Sequence, residues 1–362
     1  MRIAQIAPLS ESVPPKLYGG TERVVSYLTE ELVRLGHDVT LFASGDSVTT
    51  ARLESICDQA LRLNKGISLQ DAPLMMQLLM EQAMANGRPF DIIHSHLDHL
   101  GFPLARRNPT PMVTTFHGRL DLPELQPVFR EYAEMPMVSI SNAQRTPVSW
   151  ANWQDTVYHG LPTDLYDLHP NSGGYLAFLG RIAPEKRPDH AIEIAKRVGI
   201  PLRIAAKVDP ADQEYFQTEI EPLLFHPLIE YLGEITDAEK YDFLGHAMAL
   251  VCPYDWPEPF GLVLIESLAC GTPVLAYRRG SIPEIIEDGT TGFVCEGLDE
   301  MAAAVHRIPE IDRRRCRWAF EQRFSVARMA QDYLRVYEQT IGSACERKEE
   351  AMGFVSTCSS ST

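Results

Sequence analysis

The chain has 362 residues, 45% of them apolar and 23% charged, enough to build a packed core and incompatible with wholesale disorder. A formal net charge of −16 disfavours nucleic acid as a partner, because an acidic chain gains nothing from counterion release, and it disfavours anionic membrane globally. No apolar run reaches the ~20 residues that span a bilayer, and Met1-Arg2-Ile3-Ala4 enters a strand-like segment without signal-peptide architecture.

In chain order the pattern is strand, helix, strand, repeated. Ile3 to Ala7 is a short apolar run. Val24, Val25, Leu28, Leu32 and Leu35 then recur at helical spacing over Thr21–Leu35, Gly36 ends that helix, and Val39–Ala43 reads as the next strand. Such a unit implies a parallel sheet. Further strands are predicted at Asp91–His94, Met112–Phe116, Met137–Ser141 and Thr156–His159. Residues 64–86 read as a helix whose methionine-rich face (Met75, Met76, Leu79, Met80) is core.

Turn chemistry at Leu161–Asp164 and His169–Gly174 marks a linker. A second series follows, with strands at Tyr175–Leu179, Leu202–Ala206, Ile229–Leu232, Ala249–Pro253, Pro273–Ala276 and Gly292–Val294. Helices are predicted over 189–198, 213–224, 237–247, 261–270, 298–307, 311–322 and 326–341. The expected division is an N-terminal domain over 1–168, a C-terminal domain over 169–325 and a final helix over 326–342. Residues 343–362 read as a tail too poor in apolar residues to order itself. Cys57, Cys252, Cys270, Cys295, Cys316, Cys345 and Cys358 are odd in number and form no C-x-x-C pair, which points to reduced thiols in a cytoplasm and no structural zinc.

Four constellations could carry chemistry. Tyr18-Gly19-Gly20-Thr21 lets backbone approach a ligand at a helix N-terminus, either as an anion site or as a plain tight turn, and it lacks the G-x-G-x-x-G fingerprint. His94, His96, His99 and His117 form a histidine group. His94 and His96 point the same way on a strand as metal ligands would, but no third ligand has a clear spacing. His117 sits at a strand's carboxyl end, where open α/β sheets bind ligands. Gly180-Arg181 to Lys186-Arg187 puts two cations five residues apart at a strand end, which suits a diphosphate or a solvated turn.

The fourth runs from Pro257-Glu258-Pro259-Phe260-Gly261 to Glu266. Prolines hold Glu258 in the loop before a helix, no Ser, Thr, Asp or Asn caps that helix, and Glu266 stands inside its apolar run. Two carboxylates beside uncapped amides make a hydroxyl-binding site, for a sugar or a ribose, the alternative being that Glu266 is a satisfied buried ion pair. Ser281 and Glu284 match a capping box, a structural role.

Together these segments resemble the retaining glycosyltransferases of family 4 (glycosyl transferases group 1) over nearly the whole chain. The E-x7-E element, Glu258 to Glu266, is the most specific part, and Gly180-Arg181 to Lys186 the next. The resemblance implies an α/β GT-B fold: two Rossmann-like doubly wound domains facing a cleft, donor mainly on the second and acceptor mainly on the first, with a C-terminal helix crossing back. By position, it assigns Gly19 and Gly20 to the donor diphosphate, and Arg181 and Lys186 to its neutralisation as the sugar leaves. Glu258 is assigned to sugar hydroxyls, the amides of Phe260, Gly261 and Leu262 to the same sugar, Glu266 to the ribose, and His117 to the surroundings of the anomeric carbon. No metal or cofactor is expected, since the nucleotide sugar is a substrate.

The reaction implied is retaining transfer of a hexose from a nucleoside diphosphate sugar, with UDP-glucose favoured and GDP-mannose next. The acceptor hydroxyl could belong to a small molecule, a glycan or a lipid-linked molecule. Residues 1–168 hold 13 Lys/Arg against 19 Asp/Glu, a balance of −6, and Arg106-Arg107 and Arg119 are the only local basic features there. The alternatives are a nucleotide-sugar epimerase of the same architecture and a non-catalytic nucleotide-sugar binder. Turnover and product identity separate them.

Overall fold

Parallel strand pairing organises both parts of the computed structural model, which describes residues 1–16, 18–63, 71–85 and 89–358, with side chains as far as residue 346. Contacts divide the chain into two units. The first comprises Met1–Ile140, Arg145–Val157 and Met329–Thr362, and the second Ser141–Gln144 and Tyr158–Arg328.

The first unit holds strands β1 (Arg2–Ile6), β2 (Asp38–Phe42), β3 (Arg52–Glu54), β4 (Ile92–Ser95), β5 (Met112–Thr115), β6 (Met137–Ser139) and β7 (Trp153–Thr156). They lie in the order β3-β2-β1-β4-β5-β6-β7. β1, β4 and β5 are almost wholly buried, as expected of strands covered on both faces. The order reverses between β1 and β4, so their carboxyl ends open a crevice for the loops that follow them. Helix Gly20–Arg34 returns from β1 to β2. Leu79 and Met80 of helix Ala72–Ala85 are fully buried in the core, with Met75 and Met76 packed against it, so the methionine stripe is packing. Residues 64–70 and 86 of the helix expected over 64–86 lie outside the described residues.

The second unit holds β8 (Leu176–Arg181), β9 (Leu202–Lys207), β10 (Ile229–Gly233), β11 (Ala249–Cys252), β12 (Val274–Tyr277) and β13 (Gly292–Cys295), in the order β10-β9-β8-β11-β12-β13. Its reversal lies between β8 and β11. Both sheets are therefore doubly wound, and the expected α/β class with two parallel-sheet halves is what the chain adopts.

Four expectations need correction. The strand expected at Thr156–His159 ends at Thr156 and starts at Trp153, paired with β6 through Met137↔Trp153. The helix expected over 213–224 is a short α turn, a π turn at Phe216–Ile220 and a 3-10 turn at Glu221–Phe225; Pro222 removes the N–H that regular continuation would need. The stretch read as a linker is anchored in the second unit. Leu161 N donates to Phe324 O (2.9 Å), Val326 N returns to Leu161 O (2.8 Å), and the Arg317 guanidinium gathers the carbonyls of Thr163 and Tyr166. Turn-rich composition there reports a backbone satisfied by side chains rather than a free hinge. Finally, the last helix runs Val326–Cys358, through much of the segment read as an unordered tail. Ala344, Glu346, Arg347, Lys348, Glu349, Glu350 and Ala351 are strong helix formers, and propensity carries the helix on where apolar residues are few.

Among the described residues no helix is long and apolar enough to cross a membrane. Cys57, Cys252, Cys270, Cys295, Cys316 and Cys345 are free thiols. Burial pushes Cys252, Cys270, Cys295 and Cys316 up to about 12, which leaves them protonated packing groups.

Candidate active site

In the second unit the chemistry gathers past the carboxyl ends of β8 and β11, the two strands at the reversal of order. β8 ends on Arg181, and a 3-10 turn, Pro184–Lys186, follows it. Asp255 N donates to Glu185 O (2.9 Å), which ties this turn to the loop after β11.

Lys186 and Glu258 meet directly as a largely buried ion pair. The Lys186 ammonium also lies over the rings of Tyr254 (4.0 Å) and Trp256 (4.9 Å), and Trp256 Nε1 donates to Glu258 Oε2 at 3.2 Å. A compact point charge is thus held between a carboxylate and two aromatic faces. Arg181 stands in an acidic frame, with Nη2 2.9 Å from Glu185 and Nη1 3.3 Å from both Asp209 and Asp212. Lys207 Nζ shares Asp209 at 3.1 Å. The two cations expected to grip a diphosphate are therefore both engaged by carboxylates, and an anion arriving there exchanges one set of negative partners for another. Burial raises the Asp212 carboxyl, against the lowering effect of Arg181.

Helix Leu262–Ala269 begins behind Glu258. The residue before it, Gly261, has φ +85°, and no side chain caps the helix. The helix start follows directly on the loop that carries Glu258, with no side chain accepting from its first N–H groups. Phe260 is buried, so its ring anchors this loop. Glu266, one turn into the helix, is 2% exposed. Its Oε1 is 3.2 Å from Lys240 Nζ, whereas Oε2 is buried without a hydrogen-bond partner among the described residues. A half-satisfied buried carboxylate is costly, and a ligand hydroxyl would complete it.

Two supports were not legible in the sequence. Lys240, on helix Asp237–Gly245, supplies the cation for Glu266, and only tertiary packing brings the two helices together. Gly280 and Ser281 brace the Glu258 loop from behind: Ser281 N donates to Glu258 O (2.9 Å) and Ser281 Oγ to Phe260 O (2.9 Å). Ser281 thus spends its hydroxyl on this loop rather than on a capping box, a correction to that reading. Glu284 serves elsewhere, accepting from the backbone N–H groups of Asn142 (2.8 Å) and Ala143 (2.7 Å) and from the Tyr158 hydroxyl (2.9 Å).

In the first unit, Gly19 is the residue before helix Gly20–Arg34, and a Cβ on it would come within 2.7 Å of Pro15. Gly19 is therefore also a close-packing requirement. Glu22, in the first turn, is 5% exposed, and burial pushes its carboxyl up to about 7. Sequence reading passed over it, because an acidic residue in a first turn is ordinary.

His94, His96 and His117 form a buried hydrogen-bonded chain, and His99 takes no part in it. Gln5 Nε2 donates to Tyr337 Oη (2.9 Å), Tyr337 Oη is 2.7 Å from His94 Nδ1, and His94 Nε2 is 2.8 Å from Thr115 Oγ1. Both ring nitrogens of His94 are thus committed, and burial lowers its pKa far below the usual range. His96 Nε2 is 3.0 Å from Gln5 Oε1 and its Nδ1 is 2.9 Å from His117 Nε2. The Gln5 oxygen can only accept, so His96 carries its proton on Nε2 and receives one at Nδ1 from His117. Burial pushes His117 down to about 3, which keeps it a neutral imidazole at the carboxyl end of β5.

Known proteins of similar sequence and structure bear on these arrangements. Residues 168–321 match the family model described as glycosyl transferases group 1, and residues 18–149 that described as glycosyltransferase family 4. The chain is 26% identical to a phosphatidyl-myo-inositol mannosyltransferase of Mycolicibacterium smegmatis, over 95% of each chain. It is 25% identical to a glycogen synthase of Mycobacterium tuberculosis, over 87% of this chain and 89% of the relative. Among solved structures, a sucrose-phosphate synthase from Thermosynechococcus elongatus superposes with a TM-score of 0.77 at 18% identity, over 95% of this chain and 100% of the other. Anabaena HepE in complex with UDP superposes at 0.73, also at 18% identity, over 94% and 100%.

Proposed function

The chain belongs to the GT-B glycosyltransferases of family 4 (glycosyl transferases group 1), and from that premise we propose that it moves a hexose, with retention, from a nucleoside diphosphate sugar to an acceptor hydroxyl. The observation that carries the reading is the pair Glu258 and Glu266 around one uncapped helix start, with Glu266 Oε2 buried and unpartnered among the described residues. Ribose hydroxyls donate to Glu266. Sugar hydroxyls donate to Glu258, and the amides of Phe260, Gly261 and Leu262 present N–H groups to the same sugar.

In the reaction the bond from C1 to the phosphate oxygen breaks and a bond from C1 to the acceptor oxygen forms on the same face of the sugar. The acceptor's proton passes to the departing phosphate oxygen. Negative charge grows on the leaving diphosphate, and Arg181, Lys186 and the Gly19-Gly20 amides stabilise it, which is the largest catalytic contribution. Lys186 thereby links leaving group and sugar, since its ammonium already touches Glu258. His117, neutral and oriented by His96, is assigned to the neighbourhood of the anomeric carbon as a hydrogen-bonding group rather than a cation.

UDP-glucose is the favoured donor, a molecule that a solved protein of the same fold holds, with GDP-mannose next. The acceptor is a hydroxyl on a small molecule, a glycan or a lipid-linked molecule. No metal or cofactor is required by this chemistry, and the free thiols fit a reducing cytoplasm. The test is a thermal-shift and calorimetric panel of UDP, GDP and ADP with their glucose, mannose and N-acetylglucosamine forms, without added metal. One nucleotide should raise the melting temperature by mass action. No response to any member would overturn the donor assignment. A tight donor that yields an epimer instead of a glycoside would move the protein to the epimerase reading.

A further inference from the structure

At the opposite edge of the second sheet, before the strands begin, lies a cluster that the transfer reaction does not use. His169 precedes β8, and Asp242 and His246 lie on and just past helix Asp237–Gly245, which leads into β11. Arg181 and Glu258 follow the carboxyl ends of the same two strands, so the cluster is separated from them by the length of the sheet. One ligand atom from each of His169, Asp242 and His246 lies within 4.8 Å of the others. Two ligands of a tetrahedral ion stand about 3.4 Å apart at ordinary metal–nitrogen distances, so the exposed side chains of Asp242 and His246 need only small rotations to close on an ion.

The hydrogen bonding already presents lone pairs. His246 Nδ1 is 2.9 Å from the main-chain carbonyl of Asp242. A carbonyl only accepts, so the proton sits on Nδ1 and Nε2 offers its lone pair, the usual state of a metal-bound histidine. His169 is fixed by its backbone: its N donates to Cys270 O (3.0 Å) and its O accepts from Arg313 Nε (2.6 Å). Its Nε2 is buried and has no hydrogen-bond partner among the described residues, an omission that destabilises the fold unless something fills it. The Asp242 carboxylate makes no hydrogen bond or ion pair with the described residues. The Arg313 guanidinium nearby is absorbed by the carbonyls of His169, Gly245 and Ala247 and the Thr272 hydroxyl.

We propose that His169, Asp242 and His246 bind a divalent transition-metal ion at the amino edge of the second sheet, a site distinct from the donor chemistry. Two imidazoles and one carboxylate suit Zn2+, Co2+ or Ni2+ and not Mg2+ or Ca2+. The expectation of no zinc rested on cysteine spacing and does not bear on this set. The ion staples the segment entering β8 to the helix before β11, and its role is structural.

The test uses the full chain stripped by chelator and titrated with Co2+ and Zn2+ by calorimetry and absorption. One ion should bind with a blue Co2+ spectrum lacking a thiolate charge-transfer band, and excess Zn2+ should raise the melting temperature. His246→Gln and Asp242→Asn, both at exposed positions, should each weaken binding at least tenfold while circular dichroism and glycosyl transfer stay unchanged. Failure of the unmodified chain to bind, undiminished binding in both variants, or a thiolate band would each overturn the proposal. None of these outcomes touches donor binding, which the nucleotide panel reads separately.

Discussion

Lys240 Nζ lies 3.2 Å from Oε1 of Glu266, and it is a cation from one helix neutralising half of a carboxylate buried in another. Glu266→Gln keeps the shape of the side chain but forfeits charge-assisted acceptance, so nucleotide affinity should fall at least tenfold with kcat less affected. Lys240→Met leaves the carboxylate without its cation, and breaking such a buried pair costs about 3 kcal/mol. Calorimetric Kd values and denaturant midpoints separate the two effects. Unchanged nucleotide affinity in Glu266→Gln would refute the ribose assignment.

The pairing of Lys186 with Glu258 beneath Tyr254 and Trp256 makes a guanidinium a poor replacement for the ammonium. Lys186→Ala and Arg181→Ala should each lower kcat by about 10²–10³, the scale of a lost donor at a developing anion. Lys186→Arg should recover little of it, because the largely buried site holds a compact point charge against Glu258 and a bulkier guanidinium displaces that charge. Steady-state kinetics with a saturating donor is the measurement. Full activity in Lys186→Arg would show that charge alone suffices.

Gly280 has φ +52°, and a Cβ there would lie 2.3 Å from Glu258 O and 2.5 Å from Glu258 N. Gly280→Ala should therefore push the Glu258 loop forward, lowering kcat/KM by tenfold or more and costing about 2 kcal/mol of stability. Comparison with Gly297→Ala, where nothing lies within 4 Å of the new Cβ, controls for a general glycine effect.

Burial raises the Glu22 carboxyl to about 7 from 4.5. Its native state holds a proton that the unfolded chain releases, so this contribution to stability is complete below pH 4.5 and is lost as pH rises through 7. Glu22→Gln removes the dependence. The variant should match the parent at pH 4.5 and exceed it above pH 7, by up to about 3 kcal/mol, in denaturant unfolding across that range. A constant difference at every pH would show that Glu22 does not titrate there.

The alternation of strands and helices was readable because parallel strands buried on both faces are continuous apolar runs, as in β8, β11 and β12. Glu258 and Glu266 were legible because prolines and an uncapped helix start are local features. Lys240, Gly280 and Ser281 were not, because each acts across the fold on a residue that nothing in its own neighbourhood announces. Glu284 shows the converse: its spacing from Ser281 satisfied a local rule, yet it caps the turn at Asn142 instead. His94 and His96 shared a strand face as ligands would, and only the partners from Gln5, Thr115 and Tyr337 reveal a closed hydrogen-bonded chain.

The hydrogen bond from Gln5 to Tyr337 joins positions 332 residues apart, and Tyr333 and Tyr337 are both fully buried in the first unit. The order of synthesis then differs from the order of completion. Every residue of the second unit has been translated by Arg328, whereas the first strand of the chain must wait for the last helix before Gln5 and His94 find their partners. On the ribosome the nascent N-terminal sheet spends most of translation with its central polar residues unanswered, which makes the early-made half the later one to mature.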